Sequence, residues 1–203
     1  MLAPDHALLP GTATAPPAAM LEHWRARCGA HTGPLDFWAT LGLGSRAQGL
    51  LTVPDPEWLA PILNEWLGGP SDSRIPLAYT GLGDILYFRD LSQRARDLGL
   101  DEETIRTACD VSLLNTRYKQ LDVLAHSMGE FLAGLEDPEF IDEVFERPLF
   151  ESGIAHAGLA ASGGLPSGQI LGYVPALALG GGEGPENLQA LSAPEHWSIL
   201  FQC

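Results

Sequence analysis

Apolar positions along this chain fall into short blocks whose spacing changes from helical to strand-like and back. Met20, Leu21, Trp24 and Cys28 recur at helical intervals, which predicts a first helix after Pro17 that Gly29 ends. A second stripe, Trp58, Leu59, Ile62, Leu63, Trp66 and Leu67, follows Asp55 and Pro56, a capping residue and a residue suited to a first turn. Pro61 interrupts that stripe and predicts a kink or a later start. Gly68-Gly69-Pro70 closes it.

Periodicity then shortens. Residues 75–80 and 84–90 read as strands about a Gly81-Leu82-Gly83 turn, and Ile85-Leu86-Tyr87-Phe88 is apolar on both faces, as in an interior strand. Asp101-Glu102-Glu103 marks a solvated helix start. Asp110–Lys119 reads as a looser stretch and as the boundary between two lobes. Three short helices follow. Ser127 and Glu130 have capping-box spacing, Asp137-Pro138 opens the second helix, and Pro148 opens the third, which ends near Gly158. A Gly/Ser-rich loop over 158–168 leads to the apolar run Gly172–Gly181, read as a buried segment followed by a glycine turn. His196–Phe201 is expected as a final strand. Strands scattered among helices without regular βαβ alternation predict an α+β fold, with a mainly antiparallel sheet and two closely packed lobes. The expected division is a loose arm over 1–17, rich in Ala, Pro, Thr and Gly, then lobes over 18–110 and 111–203.

Charge narrows the function classes. Lys and Arg number 11 against 26 Asp and Glu, for a net charge of −15. The second lobe is the shorter and the more acidic, with 3 bases against 12 acids. Nucleic-acid binding relies on Lys and Arg neutralising phosphates, so that role is disfavoured, as is an anionic membrane surface. A basic protein partner is the natural complement, although acidity also serves solubility. Three unpaired-looking cysteines, Cys28, Cys109 and Cys203, form no disulfide framework. The start of the chain has no signal-like segment, and a cytoplasmic protein is expected.

Reactive constellations are scarce. Gly180–Gly184 lacks the following Lys-Ser/Thr of a phosphate loop and carries Glu183, which would repel phosphate. His23, Cys28 and His31 are zinc-competent, but their spacing fits no common zinc pattern, and Cys28 lies on an apolar helical face. No nucleophile elbow or His-Glu-x-x-His motif is present. His126, beside Ser127, reads as a surface or capping histidine. No cofactor, metal or catalytic residue is predicted. Trp38, in a segment of uncertain structure, is a candidate exposed anchor.

Tyr118-Lys119, Asp122-Val123-Leu124, Glu130-Phe131-Leu132, Asp137-Pro138-Glu139-Phe140, Leu149-Phe150, Gly172–Gly181 and Glu195-His196 resemble, in order, the C-terminal domain of type VI secretion immunity proteins of the Tdi1 type. Trp24, Gly49-Leu50-Leu51, Asp55–Trp58, Trp66-Leu67 and Gly83-Asp84 resemble the GAD-like region that precedes it in that family. The resemblance implies a non-enzymatic task, the binding and silencing of a cognate toxin, often a DNA-degrading effector. A DNA-binding cleft is basic, and an acidic protein fills it with carboxylates in place of phosphates. Glu136, Asp137, Glu139, Asp142, Glu143 and Glu146 are the expected contributors, and a purely solvated helix face is the alternative for each. A general binding or regulatory module without a toxin partner is the alternative function.

Overall fold

The computed structural model describes residues 9–11 and 13–203. Of the arm expected over 1–17, residues 1–8 and 12 lie outside the described residues. The remainder runs beside the first strand. Leu9 is fully buried, and Thr14 and Leu43 exchange backbone hydrogen bonds at 2.8 Å.

Helix α1, Ala18–Cys28, buries Met20, Trp24 and Cys28, as their spacing predicts. Helix α2, Gly33–Leu41, places Leu35, Phe37, Trp38 and Leu41 inward. Short strands β1, Gly44–Arg46, and β2, Leu51–Val53, precede helix α3, Pro56–Trp66. Asp55 caps α3 by accepting from the Glu57 N–H at 2.9 Å, and Pro61 lies within the helix rather than delaying its start. Strands β3, Arg74–Thr80, and β4, Ile85–Asp90, form the expected hairpin. Pro76 cannot donate to a ladder, and the β3–β4 register shifts between Pro76 and Ala78.

Helices α4, Ser92–Asp97, and α5, Glu102–Thr107, follow, with Asp101 capping α5 through the Glu103 and Thr104 N–H groups. Strands β5, Cys109–Asn115, and β6, Gln120–Ala125, come next. The stretch read as loose is therefore mainly strand. Asp110 and Ser112 hid it, because polar residues at alternate positions do not advertise a buried face. Asp110 is buried yet satisfied: Arg89 Nε donates to both its carboxylate oxygens, at 2.9 and 3.1 Å, and Ser112 Oγ donates at 2.8 Å. The boundary expected at 110/111 falls inside β5.

The three predicted helices are α6, Met128–Gly134, α7, Pro138–Val144, and α8, Arg147–His156. A capping box forms at α6, with its return bond one residue before the N-cap. Ser127 Oγ accepts from the Glu130 N–H at 3.1 Å, and Glu130 reaches back to the His126 N–H at 2.7 Å. Strands β7, Gln169–Tyr173, and β8, Leu188–Ser192, form an antiparallel ribbon, and helix α9, Ala193–Gln202, ends the chain. The final strand expected at His196–Phe201 is thus a helix. Pro194 and Glu195 occupy its first turn, and Ala193, His196, Trp197 and Leu200 form a buried stripe at helical spacing. The apolar run from Gly172 is only partly a buried segment. Tyr173 and Ala176 are buried, whereas Val174 and Leu179 are exposed.

The main sheet runs β1-β2-β3-β4-β5-β6, every neighbouring pair antiparallel, so spatial order follows chain order. The architecture is the expected α+β. Alternation along β4 divides the core. Leu86 and Phe88 join a large cluster with Trp24, Trp38, Phe131 and Phe150, while Ile85 and Tyr87 join a smaller one with Leu59, Leu63 and Trp197. Helices α1, α2 and α6 to α8 supply the first layer, and α3 and α9 the second.

Replacing Trp38 by Ala should cost about 3–5 kcal/mol, because a fully buried ring leaves a cavity. Trp58, 38% exposed, should cost roughly half as much or less. Urea unfolding midpoints of the two variants check the ordering.

Candidate partner-binding surface

The turns at one end of the sheet converge on a buried cation. Arg117, in the β5–β6 turn, has 2% of its side chain exposed and donates through Nη2 to Asp84 Oδ2 at 2.9 Å. Its other partner is Glu146, between α7 and α8, which receives Nη1 at 3.3 Å and Nη2 more closely. The Thr116 N–H donates to the other Asp84 oxygen at 3.2 Å. Thr116 Oγ1 and Trp197 Nε1 both donate to the Gly83 carbonyl, at 3.0 and 2.6 Å. Gly83 takes φ +90°, which favours glycine, and a Cβ there would also press on Ile170 Cδ1 at 2.7 Å.

Burial works against both charges and produces opposite outcomes. Desolvation pushes Asp84 up to about 6 even with Arg117 beside it. Burial opposes the charge on Arg117 too, but Asp84 and Glu146 outweigh it and raise that pKa. The guanidinium is therefore a fixed charge spent on two carboxylates. It is suited to holding three segments together rather than to moving protons.

The six acids expected to face a partner divide by their own contacts. Glu136, Glu139 and Glu143 are exposed and form no ion pair among the described residues. Asp137 is exposed but caps α7, accepting from the Glu139 N–H at 2.9 Å. Asp142 is paired with Arg147, and Glu146 with Arg117. Trp38 is corrected outright. It is fully buried, with its ring against Trp24 at 5.7 Å, so it offers no surface to a partner. Its segment is amphipathic helix, and the four inward residues of α2 leave the indole nowhere else to go.

The zinc-competent trio is dispersed among other partners. His23 Nε2 meets Glu57 at 2.9 Å, and His31 Nε2 meets Asp90 Oδ1 at 3.1 Å. Cys28 is buried, and desolvation pushes its thiol up to about 12, which suppresses the thiolate that a metal would need. Among the described residues no group of three His, Cys, Asp or Glu side chains is placed to hold a metal. Two clefts remain. One, of about 480 Å³, lies between Gln48 and helix α8, floored by Leu50, Phe150 and Ile154. The other, about 570 Å³, is lined by His31, Asp90, Arg96 and Arg106, and Arg106 is already engaged by Glu103 at 2.8 Å.

Sequence reasoning passed over Arg117. The adjacent Tyr118-Lys119 and the distant Gly83-Asp84 both stood out, but nothing local says that a turn arginine will be buried. Only the approach of Asp84, 33 residues upstream, makes it so.

The architecture defines the class first: an α+β protein built on a six-stranded antiparallel meander covered by helices on both faces. The fold is that of the crystal structure of Atu4351 from Agrobacterium tumefaciens, with a TM-score of 0.68 over 96% of this chain and 85% of that one, at 20% identity. Residues 125–203, from the end of β6 onward, match the family model of the T6SS immunity protein Tdi1, C-terminal. No curated protein matches the chain. Among the described residues no helix is long and apolar enough to cross a membrane.

The Asp84 site predicts a pH signature. Folding raises its affinity for a proton, so its contribution is full below about pH 4 and declines as pH rises to about 6. Asp84→Asn removes that titration. The stability gap between wild type and D84N should shift against wild type by on the order of 2–3 kcal/mol from pH 4 to pH 6.5. Urea denaturation of both proteins across that range reads it, and parallel pH profiles would contradict the assignment.

Proposed function

We propose that this protein is a type VI secretion immunity protein that binds a cognate toxin in the cytoplasm and blocks its active cleft without chemistry of its own. The carrying observation is the match of residues 125–203 to the Tdi1 C-terminal family. The charge pattern supports the same reading. From Gln120 to Glu146 the chain carries eight acids and no Lys or Arg. Such a surface suits a basic cleft, as a DNA-cleaving toxin would need, because carboxylates take the places of phosphates there.

The mode of inhibition is stoichiometric occlusion. Glu136, Glu139 and Glu143 are the side chains with charge to spare, so they steer the encounter. Asp137, Asp142 and Glu146 add to the field while committed to internal contacts.

Co-expression with the neighbouring gene should give a single complex on size-exclusion chromatography, and the purified toxin should lose its nuclease activity at one equivalent. The triple variant E136K/E139K/E143K should slow association by about tenfold at low salt and flatten its salt dependence. Stopped-flow binding at two ionic strengths measures both. Unaltered rates would remove this face from the encounter.

A further inference from the structure

Among the described residues, strand β6 ends the main sheet with β5 as its neighbour on one side, and the strand order places none on the other. An edge strand carries a row of backbone N–H and C=O groups ready to pair with another chain. Folds commonly blunt such an edge by covering it or by setting Lys or Pro along it. From Gln120 through Val123 every residue is exposed; none is Lys or Pro, Asp122 is the one charge, and the register shift of the β5–β6 ladder falls beyond them, between Val111 and Ser112.

Two of the exposed side chains are apolar. Leu121 is 54% exposed and Val123 48%. Register sets them opposite Leu114 and Ser112, so they extend the face whose buried part is the smaller apolar cluster. That layer is covered by α3 and α9 over Tyr79, Ile85, Tyr87 and Leu114, and at β6 the cover stops. On the opposite face Leu124 packs against the larger cluster, and α6 lies against the strand. The result is an open edge with an apolar ledge on one side and helix α6 on the other, and the acids between residues 136 and 146 follow α6 in the chain.

We infer that β6 is the docking edge for an extended, basic segment of a partner protein, which adds to the sheet as a seventh strand. The backbone would provide the pairing, Leu121 and Val123 would receive apolar side chains at alternate positions, Lys or Arg at the intervening positions would face Asp122, and the net negative charge of the chain would steer the segment in. Charge selects this occupant over a second copy of the chain. Each copy carries −15, so two copies repel, and in the register centred on Asp122 that carboxylate would also face its own copy. The inference deepens the toxin-binding reading by naming where the partner seats, and it rests on that reading only for the partner's identity.

Two probes separate the claims. The first is a synthetic peptide of alternating Lys and Val, with an alternating Glu and Val peptide as control. The second is the toxin encoded by the neighbouring gene. Hydrogen–deuterium exchange of the full chain should show amides within Gln120–Ala125 slowed about tenfold or more by the basic probe and not by the acidic one, as new strand pairing requires. The double variant L121K/V123K alters exposed positions only, so its urea midpoint should stay near wild type while binding weakens at least tenfold. Protection of β6 by either probe supports the edge. If the peptide protects β6 but the toxin does not bind, the edge stands and the toxin reading falls. If the toxin binds with β6 unprotected and L121K/V123K binds normally, the toxin reading stands and the edge falls. Protection of β6 by neither probe overturns the inference, as does a concentration-dependent dimer that protects β6 in the protein alone.

Discussion

A buried guanidinium sets the terms for one end of this molecule. Arg117 has almost no access to water, so its charge must be met inside, and Asp84 and Glu146 meet it from distant points in the chain. A buried ion pair adds little net stability over an apolar replacement, yet removing one partner costs about 3–5 kcal/mol because the other charge is stranded. The contact therefore acts as a constraint. The β3–β4 turn, the β5–β6 turn and the α7–α8 junction must arrive together, or none is tolerable where it lies. Trp197 and Thr116, both donating to the Gly83 carbonyl, bind the last helix into the same arrangement.

That constraint shapes the surface. With Glu146 drawn inward, the α7–α8 junction turns through a left-handed conformation, φ +48°, that a non-glycine residue adopts only when its surroundings demand it. Of the acids before it, Glu136, Glu139 and Glu143 stay exposed and keep their charge uncommitted. The β5–β6 turn is fixed by the same arginine, so β6 is held as a defined edge. The β5–β6 turn and the α7–α8 junction are thus held together by one arginine.

The fold was legible wherever a local signal and a burial stripe agreed. Asp55 with Pro56, Ser127 with Glu130, and Asp137 with Pro138 each begin a helix where their side chains can cap it. β4 shows both of its faces in four consecutive apolar residues. One misleading signal came from a buried polar group with a remote partner. Asp110 made β5 look like a loop because Arg89, which satisfies it, lies on another strand. Helix α9 was misread because six residues, His196–Phe201, were weighed without the Pro194-Glu195 start before them. Trp38 was misplaced for want of its neighbours, since an aromatic residue alone does not say which side of a helix is inside.

By itself, the sequence determined the α+β class, most helix starts, the acidic character of the second half and the kinship of its C-terminal part. These depend on short-range periodicity, capping chemistry and composition, which residues near in the chain express without help. Tertiary structure alone decided which acids remain free, that Arg117 is a buried bridge, and that among the described residues β6 has a strand on one side only. Each of those is a relation between segments tens of residues apart. Burial and pairing across such distances are settled only when the whole sheet closes, because desolvation of a charge depends on everything that surrounds it.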